Sequence, residues 1–210
     1  MIIPAIVLAA GRSTRMGRAK ALLPIGPIGP MGDAETFLSR IVRTLRDADV
    51  DDVVVVIGHE PEEIVADVER RGLAVRFVLN PDFDKGQLSS LVAGLNVIDR
   101  PGVVASLVTL VDVPLVGAAT VRAVVDRYRT TRAAVVRPVA GGRHGHPVIV
   151  DRSLFDRFRA ADPALGAKVV VRQHATEEGE VEVDDAGAFH DIDTPDEYEQ
   201  LLTKMMRGGS

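Results

Sequence analysis

A chain of 210 residues, 46% hydrophobic and 26% charged, is long enough for one domain that buries most of its apolar surface, and its composition excludes a disordered chain. The net charge of −5 argues against a nucleic-acid partner held by a broad basic face, while leaving room for a local anion site. The absence of cysteine excludes disulfides, thiolate metal sites and cysteine nucleophiles, and fits a reducing, cytoplasmic setting.

The opening MIIPAIVLAAG carries no basic lead and only a short apolar run, so residues 5–10 read as a buried strand ending at Gly11 rather than as a signal peptide. No stretch elsewhere is long and uncharged enough to cross a bilayer, and no membrane partner is expected. PIGPIGPMG (residues 24–32) reads as a loop, because proline and glycine recur too often for a ladder. Helical spacing follows at Phe37, Leu38, Ile41, Val42 and Leu45. A second buried strand covers residues 53–58, and Pro61 opens a helix with Glu62 and Glu63 in its first turn. Residues 74–80 read as a third strand, and Leu88, Leu91, Val92, Leu95 and Ile98 mark one face of the next helix.

Residues 103–114 form the fourth strand, Val121, Val124, Val125 and Tyr128 another helical stripe, and residues 133–139 a fifth strand. Beyond Gly141 the order loosens into a glycine-rich turn, the short strand PVIV, two short helices, an acidic strand near residues 181–183 and a helix from Pro195. This alternation predicts a single-domain α/β fold, a mostly parallel Rossmann-like sheet with helices on both faces, over residues 1–206, with 207–210 as a tail. Ligands of such sheets bind beyond the carboxyl ends of the strands, here after Ala10, Gly58, Asn80, Leu110 and Val139.

The first of these ends carries LAAGRSTRMGRAKALLP (residues 8–24), with two glycines, four basic residues and no acid. Backbone N–H groups beside Arg15 and Lys20 suit a polyphosphate. The loop is neither a Walker A motif, since Lys20 is followed by Ala21, nor a G-x-G-x-x-G fingerprint. Charge density alone leaves a phosphate cradle and a solvated basic turn level. A triphosphate requires a divalent cation, and magnesium takes one or two carboxylates. Asp112 in LVDVP stands at a strand end, where an aspartate before proline also simply starts a turn. In DIDTPDEY, Asp191 and Asp193 project to one face of an extended segment. Thr194, Pro195 and Glu197 are explained by a capping box; the two aspartates are not.

Spacing separates the readings of the loop. Leu8, Ala9, Ala10, Gly11, Ser13, Arg15, Met16, Gly17 and Lys20 match L-A-A-G-x-S-x-R-M-G-x-x-K at every fixed position, and the segment resembles the signature of the molybdenum cofactor cytidylyltransferase-like (MobA-like) nucleotidyltransferases. The resemblance spans nearly the whole chain. It implies a nucleotide-diphospho-sugar transferase-like fold and transfer of a nucleoside monophosphate to a phosphate-bearing acceptor, molybdopterin in the best-known members, with release of pyrophosphate. It implies nucleotide contacts from Leu8, Ala9, Ala10, Gly11 and Ser13 of the loop, with Arg15 and Lys20 on the phosphates. LVDVP and DIDTPDEY resemble the family's metal-carrying segments, which implies Mg2+ on Asp112 and Asp193, with Asp191 as an outer or alternate ligand. NPDFDKGQLSSLVAGL resembles the segment beside the base, making Asn80, Gly86, Gln87 and Ser90 candidate contacts, although its serines also suit a helix cap. GGRHGHPVIV resembles the acceptor-side segment through Gly145, His146 and Pro147, and GAKVVVRQH a following helix.

His144 and His146 lack a third ligand near in sequence and so make a poor zinc site. Ser13 and Ser90 lack the elbow that presents a nucleophilic serine. LAAG resembles the cytidylyl branch, whereas the guanylyl branch carries glycine in place of Ala10, so CTP is favoured over GTP. A sugar-phosphate nucleotidyltransferase and a non-catalytic nucleotide-binding regulatory module are the rivals. The chain departs from the family by inserting GPIGPMGDAE after its phosphate motif, where the acceptor or a partner protein such as a molybdoenzyme or chaperone would be met.

Overall fold

Strand β1 (Ala5–Leu8) buries every residue, and the alternation of an extended chain decides which core each enters. Ala5, Val7 and Ala9 join one core, Ile6, Leu8 and Ala10 the other. The computed structural model describes residues 1–28 and 34–208. After β1 come a hairpin of β2 (Pro24–Ile28) and β3 (Ala34–Thr36), helix α1 (Phe37–Asp47), β4 (Val53–Ile57), α2 (Pro61–Arg70) and β5 (Arg76–Leu79). They are followed by α3 (Gln87–Ile98), β6 (Ala105–Leu110), α4 (Ala118–Thr131), β7 (Val135–Ala140), β8 (Arg143–His144) and β9 (Val148–Asp151). The chain ends with α5 (Phe155–Arg159), α6 (Ala167–His174), β10 (Glu180–Glu182) and α7 (Pro195–Gly208).

The main sheet runs β10-β7-β9-β6-β1-β4-β5, with β8 paired to β7. β1 is parallel to both β4 and β6, and Leu8 lies opposite Val56 on one side and Leu110 on the other. The three central strands therefore end level, and the loops that begin with Ala9, Gly58 and Val111 emerge together at one edge, where open α/β sheets bind ligands. β9 runs antiparallel to both β6 and β7. It is the reversed strand of an otherwise parallel main ladder, and it carries the chain after the glycine-rich turn back across the sheet. Helices α1, α2 and α4 fill one core, and α3, α5 and α6 fill the other, so the predicted α/β architecture with both faces covered is the observed one.

A third, smaller core joins the two ends of the chain. Leu23, Ile25 and Phe37 pack against Ile192, Tyr198 and Leu201, and the Tyr198 hydroxyl donates to the Pro24 carbonyl at 2.6 Å. Here the structure departs from the loop expected over residues 24–32. Residues 24–28 form β2, antiparallel to β3, with a register shift between Ile25 and Ile28. A two-stranded ribbon needs main-chain partners along one edge only, which removes the objection that proline lacks a donor. Residues 29–32 lie outside the described residues. α7 continues past 206 through Gly208, and residues 209 and 210 of the expected tail also lie outside them.

Tyr128 pins α4 to the sheet. Its ring is buried, and its hydroxyl lies 2.6 Å from Asp151 Oδ2 and 2.9 Å from the Val104 carbonyl. Burial, with the Asp151 carboxylate adding to it, pushes this phenol up to about 12 from the ordinary 10. A group protonated more tightly when folded than when unfolded contributes in full below pH ~10 and loses that contribution as pH rises through about 12. Tyr128→Phe is expected to cost about 1–2 kcal/mol in urea unfolding at neutral pH. The same variant should show a shallower fall in stability than the parent chain between about pH 10 and 12.

Candidate active site

The turn after β1 is shaped by Ser13. Its left-handed backbone (φ 51°) lets its carbonyl accept from the N–H groups of Met16 and Gly17, while its hydroxyl accepts from the Lys20 N–H at 3.1 Å. This places Lys20 at the start of a short 3-10 turn (Lys20–Leu22), with its side chain only 10% exposed. A lysine so deeply set requires anionic partners. Nζ donates to Asp193 Oδ1 at 2.5 Å and to Asp112 Oδ2 at 3.2 Å. Arg15, far more exposed, donates from Nη2 to Asp193 Oδ2 at 3.1 Å. The Lys20 ammonium, aided by Arg15, holds the Asp193 carboxyl below the usual aspartate range.

Asp193 is delivered by the chain's last turn. The Ile192 N–H donates to the Asp112 carbonyl at 2.8 Å, which zips this segment to the end of β6. The capping box at the start of α7 is present: Thr194 N–H donates to Glu197 Oε2, and Glu197 N–H to Thr194 Oγ1. Glu197 Oε2 also accepts the Asp193 N–H at 2.8 Å. The cap thereby fixes the backbone of the aspartate it follows.

Two cavities flank Asp112. One, of about 350 Å³, is lined by the 10–15 loop, Lys20, Phe83, Gly86, Gln87, Ser90 and Asp193. The other, of about 750 Å³, has His146, Asp191 and the cations Arg137, Arg143, Lys168 and Arg172 on its wall. Leu8, Gln87, Leu110 and Asp112 belong to both. Asp191 and Asp193, two apart in sequence, are thus divided between the cavities.

Leu8, Ala10, Gly11, Ser13, Arg15, Lys20, Gly86, Gln87, Ser90, Asp112 and Asp193 are gathered in the smaller cavity. Ala9 and Asn80 do not line it. Ala9 enters the opposite core. Asn80 is buried behind the wall, donating to Ser89 Oγ and Ser90 Oγ and accepting the Asp82 N–H, which makes it a strut for Ser90. Neither serine caps α3; Ser89 donates back to the Gly86 and Asp82 carbonyls. His146 lines the larger cavity, placed there by close backbone approach: a Cβ on Gly145 would fall 2.2 Å from the Ala188 carbonyl oxygen. Burial pushes the His146 imidazole down, opposed by a hydrogen bond with the Val108 backbone and by the Asp112 and Asp191 charges. Its Nδ1 is buried without a partner among the described residues. His144 instead pairs with Glu180 at 2.8 Å.

Sequence reasoning missed Phe83, Thr14 and the cations of the larger cavity. Lys168 and Arg172, four apart on α6, were visible as two cations on one helical face. Phe83 carried no signal beyond its place near a strand end.

The donor set fits a hard divalent cation. Asp112 Oδ1 is buried with no hydrogen-bond partner among the described residues, and Asp112 and Asp193 offer oxygen only. No group of three or more His, Asp or Glu side chains able to hold a metal occurs among the described residues. Two carboxylates, completed by phosphate oxygens and water, are the arrangement magnesium and similar ions accept. No helix among the described residues is long and apolar enough to cross a membrane.

Residues 5–178 match the model of the MobA-like NTP transferase domain. The crystal structure of Rv0371c from Mycobacterium tuberculosis is 27% identical, with a TM-score of 0.77 over 97% of this chain and 99% of that one. The structure of Rv0371c in complex with manganese is 28% identical, with a TM-score of 0.73 over 97% and 99%. A probable molybdenum cofactor guanylyltransferase of Mycolicibacterium paratuberculosis is 32% identical over 145 residues, 69% of this chain and 66% of that protein. The bifunctional IPC transferase and DIPP synthase of Rubrobacter xylanophilus is 38% identical over 107 residues; they make up 49% of this chain and only 23% of that much longer protein. The chain belongs to the MobA-like NTP transferase family.

Proposed function

We propose that the protein transfers a nucleoside monophosphate, CMP by preference, from its triphosphate to a phosphate-bearing acceptor such as molybdopterin. The observation that carries this reading is Asp112, which stands in the wall between two cavities with one buried carboxylate oxygen unpartnered. The smaller cavity takes the nucleotide. The larger takes the acceptor, whose anionic group is met by Lys168 and Arg172 on α6.

An acceptor phosphate oxygen, already anionic near neutral pH, attacks the α-phosphorus. The new oxygen–phosphorus bond forms as the bond to the β-phosphate breaks, and pyrophosphate leaves. Positioning and charge neutralisation carry such a reaction, with little call for a general base. Lys20 and Arg15 turn from Asp193 to the entering triphosphate and hold its α- and β-phosphates. That exchange frees Asp112 and Asp193 to hold magnesium, which when bound offsets charge on the phosphate oxygens. Asp191, on the acceptor side, is an outer ligand in this scheme. Ala10 contributes to the wall of the nucleotide cavity, and its methyl group supports CTP over GTP.

Asp112→Asn and Lys20→Ala are each expected to lower kcat by roughly a hundredfold to a thousandfold, as loss of one preorganised charged contact does. Pyrophosphate release from CTP with a phosphorylated acceptor is the assay; near-parental turnover removes the role assigned to that residue. Because the carboxylates are held by Lys20 and Arg15 until a triphosphate arrives, metal and nucleotide should stabilise the fold together far more than separately. CTP with magnesium, near 100 times its dissociation constant, should add about 2.7 kcal/mol, several degrees in Tm, and either alone only a fraction of that. Ala10→Gly should narrow the CTP-over-GTP ratio of kcat/KM. A parent chain that already prefers GTP overturns the base assignment.

A further inference from the structure

The nucleotide cavity is walled on one side by the turn after β1 and on another by the segment that carries Phe83. Arg12 bridges them from outside. Its Nε and Nη2 donate to Asp84 Oδ1 and Oδ2 at 2.8 and 2.7 Å, a two-pronged pair between residues 72 apart in the chain. Its guanidinium carbon also lies 5.4 Å from the centroid of the Phe83 ring. Arg12 does not line the cavity, but Phe83 does.

The aromatic ring has two further neighbours. A Cβ on Gly58 would fall 2.8 Å from Phe83 Cβ, and the His59 ring centroid lies 6.0 Å from that of Phe83. Phe83, half-buried, thus lies against Gly58, His59 and Arg12. The pair itself is open to water, with side chains 52% and 61% exposed. An exposed ion pair is weak and breaks readily; its two-pronged geometry and the stacked ring strengthen it without making it permanent. The pair uses the Nε–Nη2 edge of the guanidinium and leaves Nη1 outside it, so the variants below are chosen to separate the latch from a direct contact of Arg12 with the nucleotide.

We propose that Arg12 and Asp84 form a latch that positions Phe83 against the bound nucleotide, at the end of the cavity lined by Gly86, Gln87 and Ser90. They are positioning residues, acting through Phe83. The proposal rests on the nucleotide-binding reading of this cavity. With the latch open, fewer molecules hold the cavity in its binding-competent shape. Apparent nucleotide affinity falls by that fraction, while the chemistry at Asp112 and Lys20 is unaltered.

Hydrogen exchange on the nucleotide-free protein tests the latch by itself. Arg12→Ala and Asp84→Ala should each speed exchange both in residues 11–18 and in residues 82–87. Magnesium–CTP titration should then show both variants weakened to a similar extent, roughly three- to tenfold, with kcat at saturation within about twofold of the parent chain. The reversed pair, Arg12→Asp with Asp84→Arg, should recover most of the loss. Unchanged exchange in either segment overturns the latch. So does Arg12→Ala weakening binding while Asp84→Ala leaves it intact or tightens it, because Arg12 would then be touching the nucleotide directly. A parent chain that binds no nucleoside triphosphate overturns the proposed function, and the exchange comparison still judges the latch.

Discussion

Lys20 carries a charge that the surrounding protein almost closes off from water, and such a charge is tolerable only where anions meet it. The two that do are Asp112, at the end of the central strand β6, and Asp193, just before the last helix. Three remote parts of the chain are therefore drawn to one point by electrostatics that none could satisfy alone. Ser13 fixes the turn that presents the lysine, the Ile192–Asp112 backbone bond fixes the approach of the second carboxylate, and the α7 cap holds the latter's main chain. With Arg15 added on Asp193, two cations face two carboxylates, and under the proposed function a metal–triphosphate complex would replace each internal partner with an external one.

The sheet makes this convergence possible. Because β1, β4 and β6 end in register, the loops that follow them open onto the same edge. The reversed strand β9 then places the segment before it, with Gly145 and His146, beside that edge, so the larger cavity abuts the smaller one. Asp112 is shared for a geometric reason. It follows β6, the strand between β1, which leads to the loop of the smaller cavity, and β9, which borders the larger one.

Most of this was legible in the sequence because periodicity and punctuation report local facts. The continuous apolar runs at residues 5–10 and 53–58 mark strands buried on two faces, and the stripe from Leu88 to Ile98 marks a helix with one buried face. The loop after β1, Asp112 and the capped segment at Asp193, which the fold gathers at one cavity, were legible from spacing. What stayed hidden depended on pairing across distance. The β2–β3 hairpin defies its composition because it needs partners on one edge only and gains a packed face from α7. Asn80 looked like a ligand contact and is spent on Ser89 and Ser90, which no local pattern reveals. The split of Asp191 from Asp193 between two cavities follows from where the larger cavity is placed, not from the alternation of an extended chain.

The small core that joins Leu23, Ile25 and Phe37 to Ile192, Tyr198 and Leu201 has a consequence for biosynthesis. During translation the central strands and most of both main cores can assemble as soon as β9 and α5 have left the ribosome. Lys20 must wait for Asp193, 173 residues later, and the β2–β3 ribbon waits for α7 to cover it. A nascent chain thus holds a nearly complete scaffold around a site that is still open, with an ammonium lacking one of its two carboxylates. The second carboxylate of the lysine arrives last, with the segment that leads into α7.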